Sequence, residues 1–584
     1  MRLAPTLPDA PHLRGLAYLA RKEFDKAIAD FSTAIGLDPA YAEAYDHRGA
    51  AYLGQRKFDL AIADFTSAIR LKPKFAEAYN NRGCAYAEKG ESEKAIGDYS
   101  EVLRLDSNFA AAFCNRGLAY HRAGRFYAAV ADFSDLVRLH GQDASAFRHR
   151  ASAYLGLGDA DRAIADLTQA LHLAPKYAEA LEDRGSAFEK KKDFEAAVAD
   201  YGDAIRLKPD AAALYARRAA AALKKGDFDP AVADAAKVVQ LRPNDAKALC
   251  DRGLALALRG DRKQAVEDYT KAIALDARDA EAYYRRARAL ADTDAKRALA
   301  DFSEAVRLNP QSVAAQHDRA VTLLATGAIG EAIQGFTEAI RLDPKFAPAF
   351  CGRGAAYRAR KEYAQAIDDL GQAVQLDPKY AEAYLQRGYA HLGRKAYYDA
   401  TSDAERAIAL SPDRAEPYSL KAAAAMGRKD YAVAVTDYTE AIRRDPKRAA
   451  AYVNRGVAYH FQKNLPAAIA DYDTAVGLDF GVNHLPAAWF NRGVALYEQK
   501  IGEGIQTVTA APIEYSVIKP AIADLSQAIA LDPKNADAYY NRGVAHFAQS
   551  NMAAALADFK KVLDLDPDNA DARRYHDLAQ QRRR

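Results

Sequence analysis

From Pro8 onward the chain repeats one arrangement of apolar and polar positions. In the stretch Ala76–Phe109, apolar or small residues fall at Tyr79, Gly83, Tyr86 and Ala87, the spacing of one helix face. Lys89-Gly90-Glu91 breaks that stripe, and a second one runs through Ala95, Ile96, Tyr99, Val102 and Leu103. The pattern predicts two antiparallel helices, A then B, joined by a short turn. Many copies close on Leu-x-Pro, as at Leu37-Asp38-Pro39, Leu71-Lys72-Pro73 and Leu531-Asp532-Pro533. Proline disfavours helix for the residue before it, so it ends helix B.

The period is 34 residues. Arg-Gly or Arg-Ala marks it from Arg14-Gly15 to Arg542-Gly543, with Lys421-Ala422 as the one lysine variant. Counting the Gly/Ala as position 8, sixteen copies run from residue 8 to 569, with one residue missing near Asp294, three added near Phe480 and sixteen added near Gly502. Outside the array lie residues 1–7, a short tail, and residues 570–584, a polar stretch that reads as a capping helix. Position 20 is alanine in every copy, and aromatics such as Tyr52, Phe65, Tyr86 and Tyr99 stand between the small columns. Small residues let helix A approach helix B, and the aromatics fill the remaining space. A lone pair cannot cover its apolar face, so each copy needs its neighbours.

An aromatic at position 4, Gly/Ala at 8, Tyr at 11, Ala at 20, Phe/Tyr at 24 and Pro at 32 resemble the tetratricopeptide repeat family. The resemblance implies an all-α, right-handed superhelical solenoid of antiparallel helix pairs. It also implies that the A helices line a concave groove that binds peptides or extended protein segments. Position 32 departs from proline at Ser107, Gly141, Ala277 and Phe480, where softer junctions are expected.

Two columns carry charge. Position 7 is basic throughout, and fifteen copies place Asp just before position 24, Gly335 being the exception. Their joint recurrence predicts an Arg–Asp ion pair clamping A to B, or one repeat to the next. Position 6 is the other. It reads Asn81 and Asn115 near one end, Asn454, Asn491 and Asn541 near the other, and Asp183, Arg217, Asp251, Arg285 and Asp318 between. Asparagine offers a donor and an acceptor and so can grip an extended backbone without selecting its side chains. The two asparagine runs are similar to the asparagine ladder of O-linked N-acetylglucosamine transferases and kinesin light chains; the charged middle departs from it. Two readings of the column stand: peptide-binding asparagines, or solvated residues bonding locally. For the five charged positions the favoured reading is pairing with each other across neighbouring turns, the other being contact with a charged ligand. No repeat has Lys at position 5 or Asn at position 9, the pattern that chaperone-binding carboxylate clamps of this family resemble.

Composition narrows the field. Lys+Arg is 82 and Asp+Glu is 79, a net charge of +3, which gives no electrostatic argument for nucleic acid. Cys84, Cys114, Cys250 and Cys351 lie in different repeats on columns expected to face the groove, without CxxC spacing; they read as small wall residues in a reducing compartment. His12, His47, His121, His149, His317 and His460 also fall on groove columns, with no metal-ligand spacing, so no metal and no cofactor is assigned. No apolar run approaches a membrane span, and Met1–Pro8 lacks a signal-peptide core, which reads as cytoplasmic, although the abrupt first repeat leaves a longer parent chain open. Phosphate-loop, dinucleotide, HExxH and GxSxG motifs are all missing, so no catalytic residue is assigned. The insertion around Lys500–Pro520 is expected as a surface loop. The sequence reads as a non-enzymatic scaffold binding a protein or peptide partner in its groove. The alternatives are a substrate-selecting fragment of a larger enzyme such as a glycosyltransferase, and a structural assembly protein; oligomeric state stays open.

Overall fold

The computed structural model describes residues 7–478, 485–502 and 515–583. These residues form thirty-three α-helices and no strand. The helices alternate as A and B partners, for example Ala76–Lys89 with Ser92–Leu105 and Ala110–Arg122 with Phe126–Leu139. Within each compact body of the chain, a B helix packs on its own A helix and on the A helix that follows. The chain forms two compact bodies, Met1–Arg278 and Asp279–Arg584, and each is a solenoid of such pairs.

The small columns act as the spacing requires. Every alanine at position 20, from Ala27 to Ala555, is at most 1% exposed. At most position-8 glycines the partner is the position-24 ring, with Leu370 and Leu525 in its place at Gly354 and Gly493. A Cβ added to Gly117 would stand 2.6 Å from Cε1 of Phe133, and one added to Gly83 equally close to Cε1 of Tyr99. The absent side chain is therefore the room in which the aromatic lies. Helix B ends with one residue in extended conformation, such as Asp38 at φ −136°, ψ 97°, whose carboxylate then accepts the Ala40 N–H at 2.9 Å. The junctions at Ser107 and Gly141 lack proline yet keep this turn, with Asp106 at φ −136° and His140 at φ −128°. At Asp106 the turn is held by its carboxylate on Asn108 N–H, so the expected softening is not visible in the backbone there. Phe480 lies outside the described residues.

The paired charges form a fork. In fourteen repeats the position-7 arginine donates from Nε and Nη2 to the two carboxylate oxygens of the position-23 aspartate of its own repeat, at 2.6–2.9 Å. In eight of them Nη1 also donates to a Ser or Thr at position 25 of the preceding repeat, at 2.9–3.5 Å, as Arg116 does to Ser100. One guanidinium thus joins its own A and B helices to the previous B helix. That third arm was readable in the recurrence of Ser32, Thr66, Ser100, Ser134 and Thr168, but nothing in one repeat taken alone points to it. Lys421 carries no fork. It lies 3.8 Å from Asp437 and 3.4 Å from Glu405, a carboxylate standing where other repeats have the hydroxyl. At the Arg116–Asp132 fork the cost of burial is visible, since it raises the Asp132 carboxyl although Arg116 pulls it down.

The insertion differs from the loop expected across Lys500–Pro520. The flanking helices Pro486–Gly502 and Tyr515–Leu531 each run to 17 residues, so both ends of the segment continue helices, with Pro520 inside the second. Residues 503–514 lie outside the described residues. At the C-terminal end, helix Ala570–Arg583 packs on Met552–Leu565, burying Ala572 and Ala579 and setting Tyr575 5.7 Å from the Phe559 ring. Among the described residues no helix is long and apolar enough to cross a membrane.

Asp98 is 7% exposed and forked by Arg82, so Asp98→Ala strands a half-buried guanidinium. Hydrogen exchange of repeat three should report a loss of about 2–4 kcal/mol, largely restored in Asp98→Ala/Arg82→Met; no recovery in the double variant would contradict this reading. Gly117→Val should destabilise the same region of the array by about 1–3 kcal/mol, since Phe133 is enclosed and cannot step aside.

Candidate functional site

Consecutive A helices touch one another within each body, for example Ala42–Gly54 with Ala76–Lys89 and Ala347–Ala359 with Ala381–Gly393. Their shared face is formed by positions 5 and 6, with positions 9 and 12 beside them. The position-6 residues are partly exposed on it, except for Leu420, which is buried.

The polar residues of this face are joined sideways. Position 5 of one repeat bonds to position 6 of the next. Asn81 Nδ2 donates to Asp46 at 3.0 Å, and Asn115 Nδ2 to Asn80 Oδ1 at 3.0 Å. Arg148 Nε donates to Asp183 at 2.7 Å, and Arg217 Nε lies 3.1 Å from Glu182. His12 and His47 hydrogen-bond ring to ring at 2.8 Å. Tyr284 OH donates to Asp318 at 2.9 Å. A second row links positions 12 and 13, where Lys190 Nζ donates to the Leu155 carbonyl at 2.9 Å and His460 Nε2 meets Glu498 at 2.8 Å.

These contacts correct the expectation for the charged middle of the column. Within each body the charged residues of this column bond outside it rather than to each other. Asp183, Arg217 and Asp318 bond to position 5 of the preceding repeat, whereas Asp251 pairs with Lys247 and Arg285 with Glu281 one turn back on their own helices. The reason is geometric. Neighbouring A helices are offset, so residues 35 apart stand closer than residues 34 apart. The signal was present as opposite charges at that spacing, Arg148/Asp183 and Glu182/Arg217, but a column-by-column reading does not look along the diagonal.

The five asparagines are not equivalent. Asn81 and Asn115 each commit an amide hydrogen to the preceding repeat. Asn541 donates to the Asp537 carbonyl of its own helix at 2.8 Å. Asn454 is exposed and Asn491 half-exposed, and among the described residues neither side chain is engaged.

Family models described as tetratricopeptide repeat or TPR repeat match residues 15–56, 55–90, 83–124, 148–212, 183–246, 246–279, 288–345, 354–393, 420–480, 518–550 and 536–569. The chain belongs to the tetratricopeptide repeat proteins. Similar solved structures include the Cut9 assembly titled APC/C hetero-tetramer Cut9-Hcn1, at 17% identity over 92% of this chain and 96% of that one, with a TM-score of 0.40. Yeast Tom70 matches at 18% identity over 88% and 96%, with a TM-score of 0.36, and the Naa15/Naa10 structure bound to HypK-THB at 14% over 98% and 96%, with a TM-score of 0.34. No curated protein matches the sequence.

The cysteines of the tetratricopeptide face are more enclosed than expected. None of the four is in a disulfide; Cys250 and Cys351 are buried, and Cys84 and Cys114 are half-buried. Burial pushes the Cys351 thiol up to about 12, and it raises Cys84 although the Tyr99 hydroxyl donates to its sulfur at 3.5 Å. Such thiols stay protonated and unreactive. The histidines are likewise turned to packing. His149 stacks on Phe133, and His317 meets the edges of Phe336 and Phe346. Among the described residues no group of three His, Cys, Asp or Glu could hold a metal ion.

Asp46 supplies a pH test of the lateral ladder. Burial holds its carboxyl up to about 6, against the pull of the Asn81 amide, with Glu77 and Glu43 adding to the rise. The folded value lies above the ordinary 3.8, so the stability it contributes is full below about pH 4 and is lost as pH rises through about 6. Asp46→Asn keeps the acceptor for Asn81 and removes the charge. It should stabilise the adjoining repeats by up to about 3 kcal/mol at neutral pH and hardly at all near pH 4. Thermal melts at both pH values check this; equal effects at the two would refute it.

Proposed function

We propose that this tetratricopeptide protein is a non-enzymatic interaction scaffold that holds an extended peptide or protein segment along its A-helix face. The supporting observation is the pair Asn454 and Asn491, exposed or half-exposed amides on successive A helices with no partner of their own. An amide in that position can accept from a backbone N–H and donate to a backbone carbonyl, holding the chain while leaving its side chains to other columns. Asn541 extends the row, and Asn81 and Asn115 form a shorter one whose amides already serve the lateral ladder.

Crosslinking mass spectrometry from cells would identify the bound segment and the repeats it touches. With that segment as ligand, Asn454→Ala/Asn491→Ala should weaken binding about tenfold or more, with repeat stability unchanged. Asn81→Ala/Asn115→Ala should instead lower stability of the first body and reduce affinity less. Unchanged affinity in the first pair would remove the asparagine row from the binding surface.

A further inference from the structure

Repeat ten, Val313–Phe346, departs from its neighbours at two columns that elsewhere meet around the position-7 arginine. Gly335 replaces the forked aspartate, and Gln316 replaces the position-4 aromatic. The consequence is local. Arg319 Nε is buried without a hydrogen-bond partner, and so is Gln316 Oε1. The other arginines of this column rest on a carboxylate, and several also stack near the position-4 ring, as Arg353 does on Phe350 at 5.8 Å. Arg319 has neither.

Space accompanies the missing partner. A recess of about 480 Å³ opens beside Arg319, with Leu299 and Ser303 of the preceding B helix on one wall and Gly335 of its own B helix on the other. Gln316 and Arg319 face into it. Two carboxylates stand at its rim, Glu331 and Glu338, the second held by Arg341 at 2.6 Å. The recess lies between B helices, so it is separate from the A-helix face described above.

We propose that this recess is a binding site for a carboxylate monoanion bearing a hydrogen-bond donor close to its carboxyl group. The group that Gly335 lacks relative to the other repeats is CH2–COO−, so an acetate-like fragment restores the fork on Nε and Nη2 of Arg319. A single guanidinium with Glu331 at the rim matches one negative charge and disfavours a dianion. The unsatisfied Gln316 oxygen adds the second requirement, a hydroxyl or N–H beside the carboxylate. Free hydroxy or amino acids carry both groups, as does the acidic residue or C-terminus of a peptide.

Calorimetric titration of the full chain with glycolate, with acetate, and with a short peptide ending in a free carboxylate separates these sources. Glycolate is expected to bind more tightly than acetate, and sodium chloride at equal ionic strength to give no heat. Peptide binding with no glycolate binding would place the ligand on a partner protein; glycolate binding alone would make it a metabolite site. Arg319→Gln should weaken binding at least about tenfold. Gly335→Asp supplies the carboxylate internally, and should raise the melting temperature and abolish binding. Its Cβ falls 2.9 Å from that of Ala320, but Ala151 and Asp166 coexist with an intact fork at 2.7 Å in repeat five, so a small helix shift accommodates it. Equal binding by the parent, Arg319→Gln and Gly335→Asp, or no binding of any of the three probes to the parent, would overturn the site.

Discussion

The fork between a position-7 guanidinium and a position-23 carboxylate sets the geometry on which this fold depends. It binds helix A to helix B inside a repeat, and in eight repeats its remaining nitrogen reaches a hydroxyl of the preceding B helix, as at Arg116. Except at Arg14, whose side chain stays exposed, both ends of each pair are largely taken from water, so the pair contributes more to orientation than to net free energy. A planar, bidentate contact tolerates little rotation. Repeated within each body, it ties successive hairpins together more narrowly than apolar packing alone.

Around that fork the packing is steric. The fully buried alanines of position 20 and the glycines of position 8 bring the helices close enough for a single ring from position 24 to fill the gap. Where the fork changes, the surroundings change with it. Lys421 has Glu405 beside it, and Arg492 takes Asp473 as well as Asp524, a second carboxylate replacing the usual hydroxyl in each case. Repeat ten shows the opposite outcome, in which the carboxylate is lost and nothing among the described residues takes its place at Arg319 Nε.

The A-helix face answers to different rules. Its polar residues first satisfy one another sideways, position 5 to position 6 of the next repeat, and only what remains is open to a partner. A polar series on an inner column is therefore not by itself a ligand-binding series. Asn81 and Asn454 occupy the same column and differ in this respect, because Asp46 stands diagonally before the first, whereas the diagonal residue before Asn454 is Ser419, whose hydroxyl donates to the Ala415 carbonyl of its own helix.

The sequence by itself determined the helix pairs, their period, the small and aromatic columns and the Arg–Asp pairing, because each is a local or within-repeat constraint printed many times over. It also named the column from which Asn454 and Asn491 come. It did not determine which side chains pair across repeats, since that depends on the stagger between adjacent A helices, a distance of a few ångströms that spacing along the chain does not encode. For the same reason Asp183 and Arg217 were read as partners when each bonds elsewhere. Nor did it show that Gly335 leaves an unpaired guanidinium facing an open recess. A missing residue in a column is visible in one dimension, but whether its space is filled is decided only when the neighbouring helices are packed around it.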